Sequence, residues 1–377
     1  MMRSPRNVLV LKSSSLGDII HTLPAVSAFR KRWPDARITW LVKKSWAAIL
    51  EGNPDIDAIW PVDFSFRSWP ALFRQLRQGG YDLVLDFQGL FRSGLMSWLS
   101  GAPRRVGFSR AREGAPMFYT DPVGIAGLDA AVPWRLGEMH AVDRNLALVR
   151  YLEADASSAT CYFPDLPSDR TVIQKLLQGA HMDQQDYLVG IAPWSRAQLK
   201  CWPLDRFVEL CRLMITEGKI RPVLIGGGQD SHRTGPFRNL EERGLLNCVG
   251  KVSLRQLPVL LRQVGALVGN DSAPLHLAAG LGIPVVGLYG PTQPKVTGPY
   301  PLAGHVILQA ALPCTPCGQK ACRHPQYQEC LQSIEVMEVY QKIVSTLSSS
   351  PPYGERLQGN FDCQRSKSPV RISVKPS

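Results

Sequence analysis

Residues 266–292 read ALVGNDSAPLHLAAGLGIPVVGLYGPT. Ala266–Gly269 is a short apolar run suited to a buried strand. Pro274–Ala279 opens a helix, because proline is tolerated in the first turn where its missing N–H has no helical partner anyway. Pro284–Tyr289 is a second apolar run of the same buried type. Strand, helix and strand in this order make two parallel strands joined by a crossover. The window 273–290 is the most apolar in the chain, but His276, two prolines and four glycines inside it argue against a membrane span of ~20 apolar residues.

The same alternation runs outward in both directions. Asn7–Lys12 (NVLVLK), Arg37–Val42 and Asp82–Phe87 (DLVLDF) read as strands. Asp18–Trp33, Trp69–Gln78 and Met139–Leu152 read as helices, the first despite Pro24. Cys161–Asp169 has turn chemistry and reads as a linker. The pattern then restarts with strands at Tyr187–Ala192 and Arg221–Ile225. Helices follow at Leu204–Glu217 and Leu254–Gln263, and Glu335–Leu347 closes the array. The polar, proline-bearing stretch from Ser348 reads as a disordered tail. The expected fold is therefore α/β, with two doubly wound Rossmann-like domains, 1–165 and 166–347, facing an interdomain cleft, and a tail at 348–377. In such sheets ligands sit at the carboxyl ends of the strands.

The chain has 377 residues, is 45% hydrophobic and 20% charged, and carries a net charge of +12. That excludes a mainly disordered protein and a disulfide-stapled miniature. The positive balance favours anionic partners without choosing among them. No N-terminal apolar run is long enough for a signal-peptide core, since Val8–Leu11 is followed directly by polar residues. The expected location is cytoplasmic, with any membrane contact peripheral.

Five strand ends carry chemistry. Lys12-Ser13-Ser14-Ser15-Leu16-Gly17-Asp18 lies between a strand and a helix; Asp18 is either a helix cap or a carboxylate facing the cleft. The stretch has only Gly17 where a dinucleotide turn needs G-x-G-x-x-G, which disfavours an NAD enzyme. Gly269–His276 places Asp271, Ser272 and Ala273 at a helix start, where exposed N–H groups bind phosphate, with His276 one turn in. Taken alone, His276 reads equally as a satisfied core histidine. Ala192–Pro203 contributes Ser195 and Lys200, a cation able to neutralise a leaving diphosphate, although a loop lysine is ordinarily just solvated. Gly226–Asp230 includes Gly227 and on its own reads as a tight turn. Asp86 reads as a ligand contact or a buried cap. From Phe64 to Arg112 eight arginines, at 67, 74, 77, 92, 104, 105, 110 and 112, face two acids. That excess suits a phosphorylated or carboxylated partner, or simply a solvated face.

Cys314, Cys317, Cys322 and Cys330 cluster around His324. Their spacing is able to hold a tetrahedral zinc through thiolates. Only one short C-x2-C is present, so a loop of reduced or occasionally paired thiols is preferred and no metal is expected.

Read together, LKSSSLGDIIHTLP (11–24), DFQGLFRSG (86–94), HAVDRNLAL (140–148), the Trp-Pro after Lys200, and VGNDSAPLHLAAGLGIPVVGLYGPT (268–292) resemble the ADP-heptose:lipopolysaccharide heptosyltransferases, the family-9 glycosyltransferases. The resemblance spans residues 7–347 in order. It implies a GT-B fold and an inverting, metal-independent transfer without cofactor, from ADP-heptose to the lipopolysaccharide inner core (a Kdo-lipid A type acceptor) at the cytoplasmic face of the inner membrane. It makes Asp18 the general base and Lys200 the phosphate contact. Ser15, Gly17, Ser195, Gly227, Asp271, Ser272, Ala273 and His276 would serve the donor; Arg67, Arg112, Glu113 and His140 would serve the acceptor. Ala273 stands where the family commonly has Gly. The Ala111-Arg112-Glu113 and His140–Arg144 segments tilt the reading towards heptosyltransferase I, while the cysteine segment is more familiar elsewhere in the family. The rival readings are a type II or III enzyme, a GT-B transferase of another nucleotide sugar, and a noncatalytic nucleotide- or lipopolysaccharide-binding module. Nucleic-acid binding rests on charge alone, with no supporting motif.

Overall fold

A computed structural model describes residues 4–65, 68–125, 139–157, 159–178, 186–217 and 220–348. Arg67 and the tail at 349–377 lie outside the described residues. The described chain divides into two units. One holds residues 4–125 and 141–162, the other residues 139–140 and 163–348.

The first unit is built on six strands: β1 (Asn7–Leu11), β2 (Arg37–Lys43), β3 (Ala58–Val62), β4 (Leu83–Asp86), β5 (Arg104–Phe108) and β6 (Asp121–Val123). They lie in the order β3-β2-β1-β4-β5-β6, every pairing parallel. The second unit has β7 (Tyr187–Ala192), β8 (Ile220–Leu224), β9 (Leu246–Asn247), β10 (Ala266–Asn270), β11 (Val285–Tyr289) and β12 (Val306–Gln309). Their order is β12-β11-β10-β7-β8-β9, again all parallel. Counted from its own first strand, each sheet has the order 3-2-1-4-5-6, that of a doubly wound nucleotide-binding fold.

The reason these strands read as unbroken apolar runs is visible in their burial. Val8, Leu9, Val10 and Leu11 are consecutive and all buried, as are Ala266, Leu267 and Val268. Successive side chains point to opposite faces, so continuous burial means both faces of the sheet are covered. In the first unit Leu9, Leu11, Leu41 and Val84 pack on Leu72, Leu76 and Met96. In the second, Val189, Ile191 and Val268 pack with Phe207, Leu210, Val339 and Ile343.

Two expectations change. The single helix expected at Asp18–Trp33 is two helices, Leu16–Ile20 and Leu23–Arg32, with His21 and Thr22 between them. Pro24 is the cause: it has no N–H to donate in a helix interior and is accommodated at the second position of a new helix. Strands β3, β5, β6, β9 and β12 were not expected. Four of them are sheet edges, and β3 and β6 carry Pro61 and Pro122, which edge strands tolerate.

Gly269 sets the spacing between β7 and β10. A Cβ there would meet the Ala192 carbonyl oxygen at 2.7 Å and the Ala192 Cβ at 2.9 Å, on the strand with which it is in register. Gly269→Ala is expected to cost about 1–3 kcal/mol by forcing the two strands apart. A lowered thermal transition measures it; an unchanged transition would show that the strands yield freely.

Candidate functional site

In each sheet the crossovers reverse direction between two central strands, β1 and β4 in the first unit and β7 and β10 in the second. In doubly wound sheets the loops leaving such strands diverge and form a ligand crevice at the carboxyl edge.

In the first unit the loop after β1 is held by the loop after β4. Gln88 Oε1 accepts the backbone N–H groups of Ser13 at 3.0 Å and Ser14 at 3.2 Å. Lys12 is buried; its Nζ donates to the Phe87 carbonyl at 2.9 Å, and its own carbonyl accepts from the buried Trp40 indole at 3.0 Å. Ser15 caps the Leu16–Ile20 helix, and Asp18 completes a reciprocal capping box. Asp18 Oδ2 accepts both the Ser15 N–H at 2.9 Å and the Ser15 hydroxyl at 2.7 Å. Asp18 is thus a capping residue after all, although through one oxygen.

Burial raises the pKa of Asp18. The Lys12 ammonium, the Ser15 hydroxyl and N–H, and the Arg144 guanidinium together outweigh it, so the carboxyl is held below its ordinary range. Lys12 in turn is pushed down, by burial first, with Asp18 drawing it back up and Arg144 pushing it lower. The Ala141–Arg150 helix that bears Arg144 is tied to this corner by the buried Asn145, whose amide donates to the His21 carbonyl at 3.0 Å and to Thr22 Oγ1 at 3.1 Å.

Asp86 resolves as a buried loop cap. Its Oδ1 accepts from the Gln88 and Gly89 N–H groups at 2.9 and 3.0 Å, and its Oδ2 accepts the Tyr119 hydroxyl at 2.7 Å. Burial nonetheless leaves its pKa raised. Gly107 makes room for that tyrosine, since a Cβ there would lie 2.4 Å from the ring.

Of the acceptor candidates, Arg112 and Glu113 border the same loop: the Arg112 N–H donates to the Gly89 carbonyl at 3.0 Å, and Glu113 Oε2 accepts the Phe91 N–H at 3.3 Å. His140 has surroundings of its own. It belongs to the second unit, with Nε2 3.2 Å from the Gly298 carbonyl and its ring 4.9 Å from that of Tyr300. Several of the eight arginines have structural partners: Arg104 pairs with Asp121 at 2.9 Å, Arg105 donates to the carbonyls of Ala102 and Phe118, and Arg92 lies over the Phe64 ring at 3.9 Å. Of the first-unit donor candidates, Ser15 is engaged with Asp18 and Gly17 is buried in the helix.

In the second unit the crevice holds a three-part cluster. Asp271 is buried, and its two oxygens are divided between cation and ring: Lys200 Nζ lies 2.6 Å from Oδ2, and His276 Nε2 lies 3.3 Å from Oδ1. Burial alone would raise the Asp271 pKa, but His276 and Lys200 hold it far below the ordinary carboxylate range. The buried Tyr289 phenol is pushed well up, by burial and then by Asp271. Ser195 Oγ donates to the Asp271 carbonyl at 3.3 Å. Asn270 braces the two loops, accepting the Trp202 N–H at 2.8 Å and donating to the Pro193 carbonyl at 2.7 Å.

Ser272 caps the Ala273–Gly280 helix by position, yet among the described residues its buried hydroxyl has no hydrogen-bond partner. It stands with Ala273 at the helix N-terminus, where backbone donors and the helix dipole favour an anion. Gly227 lies in the turn after β8, its N–H donating to Asp230 at 3.1 Å, which is the turn reading. Sequence reasoning missed Lys12, Gln88 and Arg144 as supports of Asp18, and Asn270 and Tyr289 around Asp271. Lys12 and Arg144 had one signal, a charged residue at the end or start of an apolar element.

Among the described residues no set of three or more His, Cys, Asp or Glu side chains is disposed to hold a metal ion. In the cysteine segment Cys314 is exposed, Cys322 Sγ accepts the Gln328 N–H, and His324 pairs with Glu329 at 2.9 Å. Among those residues, no helix is long and apolar enough to cross a membrane.

Comparison with known proteins bears on the fold and the family. The lipopolysaccharide heptosyltransferase 1 of Pseudomonas aeruginosa is 31% identical over 341 residues, covering 85% of this chain and 89% of that protein. A family-9 glycosyl transferase from Veillonella parvula superposes with a TM-score of 0.76 at 24% identity, over 92% of this chain and 98% of its own. The Escherichia coli heptosyltransferase WaaC, solved with ADP-2-deoxy-2-fluoro heptose, gives 0.64 at 25% identity, over 90% and 99%. The two Rossmann-like units are those of a GT-B enzyme. Since residues 69–328, more than half of the sequence, also match the profile of glycosyltransferase family 9 (heptosyltransferase), the chain belongs to that family of transferases.

Proposed function

We propose that this enzyme moves heptose from ADP-heptose to the lipopolysaccharide inner core, on a Kdo-lipid A type acceptor, with inversion at the anomeric carbon. The observation that carries the donor half is the Ser272 hydroxyl at a helix N-terminus, unpartnered among the described residues, beside a lysine held in place by Asp271. An ammonium has three N–H donors, so Lys200 keeps capacity for phosphate while bonded to Asp271.

The acceptor half is assigned to Asp18. Its two hydrogen bonds end on Oδ2, and Oδ1 is the oxygen that takes the acceptor's proton. A carboxylate held below its usual range is a weak base towards a free hydroxyl. It becomes competent as the new C–O bond forms and the hydroxyl turns acidic. The anomeric C–O bond to the diphosphate breaks as the acceptor oxygen bonds from the opposite face. The departing ADP carries the electron pair, and its charge is met by Lys200, Ser272 and the helix-start amides. Arg112 and Glu113 are assigned to the acceptor because they border the loop that braces Ser13 and Ser14. The type I acceptor is favoured by the Ala111–Glu113 and His140–Arg144 segments.

Incubating the purified chain with ADP-heptose and a series of truncated core acceptors, then weighing the products, tests this. One added heptose on the acceptor that carries Kdo but no heptose is expected. Addition only to an already heptosylated core would move the enzyme to a type II or III role. Transfer from UDP- or GDP-sugars in place of ADP-heptose would overturn the donor assignment.

A further inference from the structure

Tyr289 ends β11 and is fully buried, yet its hydroxyl has no hydrogen-bond partner among the described residues. A hydroxyl taken out of water without a partner lowers stability, and phenylalanine would fill the same space without that penalty. The surroundings show what the hydroxyl can serve. Asn270 of β10 is in register with Leu288 of β11, so Asp271 and Tyr289 follow as the next pair, on one side of the sheet. Gly287, two residues back on that side, leaves room for the ring: a Cβ there would meet Tyr289 Cε2 at 2.8 Å. On the other flank Tyr289 pairs with Gln309 of β12. The amide nitrogen of Gln309 already donates to the carbonyls of Gly290 at 3.0 Å and Thr292 at 2.9 Å.

Asp271 is the acceptor that stands beside the phenol. Burial first, and then that carboxylate, push the phenol's pKa up, so it stays an O–H donor at neutral pH. The carboxylate has capacity for it. Two oxygens accept about four hydrogen bonds, and here Oδ2 holds Lys200 at 2.6 Å while Oδ1 faces His276 at 3.3 Å. Of those two partners, Lys200 is the one free to turn away. It lies in the short Gln198–Lys200 turn with its side chain 30% exposed, whereas His276 is buried in a helix.

We propose that Tyr289 is a positioning residue for the donor, its hydroxyl bonding to Asp271 as a bound diphosphate competes for Lys200. The buried aspartate is then never left short of a donor, and the lysine can serve the phosphates without stranding its counter-ion. No covalent bond changes in this exchange. The inference deepens the assignment of Lys200 to the diphosphate and rests on it for the ligand arm of its test. The stability arm uses no ligand.

Tyr289→Phe, Lys200→Met and the double variant are compared with the full-length parent by denaturant titration. In the parent background Tyr289→Phe is expected to leave the unfolding midpoint unchanged or slightly raised, because the hydroxyl it removes has no partner. In the Lys200→Met background Asp271 already needs the phenol. There the same change should raise the unfolding constant about tenfold, the contribution of one hydrogen bond to a charged group. Calorimetry supplies the second arm: the ADP affinity of Tyr289→Phe should fall about tenfold. A purely structural tyrosine would instead lower the parent's midpoint and leave ADP affinity alone. Equal effects of Tyr289→Phe on stability in both backgrounds would overturn the proposal. If Lys200→Met fails to fold, the ADP arm decides. ADP binding that Tyr289→Phe does not move sinks the proposal alone, whereas a parent that binds no ADP sinks the donor reading and the proposal with it.

Discussion

Asp18→Asn is expected to lower turnover by roughly 10²–10⁴-fold, the usual contribution of a positioned general base, with ADP affinity unchanged. Asparagine keeps an oxygen that accepts from Ser15, so the capping box and the helix start survive while the proton acceptor is lost. Turnover by product mass and ADP affinity by calorimetry separate the two effects. A variant as active as the parent would remove Asp18 from the chemistry and leave it only a helix cap. The pH profile adds a second reading. The folded pKa of Asp18 is depressed, so the ionised form persists through neutral pH and activity falls only as pH drops through that lowered value. Lys12→Met removes the largest lowering influence and leaves burial unopposed by it. The acid limb of the profile should then move to higher pH, and an unmoved limb would show that Lys12 does not act on Asp18.

Lys200→Met should weaken ADP binding and turnover together and also destabilise the second unit. The buried Asp271 carboxylate loses its lysine partner and keeps His276. Breaking a buried pair from one side costs about 3–5 kcal/mol, and the partly exposed position of Lys200 favours the lower end. The sign with pH follows from the depressed folded pKa of Asp271. The stabilisation is fully present above the ordinary aspartate value of about 3.9 and fades as pH falls below it towards the folded value. The stability gap between parent and variant, from denaturant titration, should therefore be widest at neutral pH and shrink below about pH 4. A gap independent of pH would mean that Asp271 is not stabilised by this lysine.

The central strands were legible because their burial is two-sided: NVLVLK, YLVGIA and PVVGLY are apolar without interruption. The edge strands were not, because an edge needs no such run and accepts Pro61 or Pro122. The positions of Asp18 and Lys200 at strand ends were legible for the same topological reason. Their partners were not. Gln88 reaches Ser13 only because β4 lies beside β1, and Arg144 reaches Asp18 only because Asn145 ties a distant helix to His21 and Thr22. Such adjacency has no signature in local sequence. Asp271 read as one more donor ligand, and the structure shows its oxygens already shared between Lys200 and His276. The single long helix failed at Pro24, where a weighable backbone rule was set against an apolar pattern and the backbone rule prevailed.

The Lys200–Asp271 pair means that the positive charge at this helix start is never bare. With its own counter-ion resident at 2.6 Å, the lysine exerts little pull beyond the immediate neighbourhood. Orthophosphate and sulfate are therefore expected to compete poorly with ADP, and ADP affinity to change only gently with ionic strength.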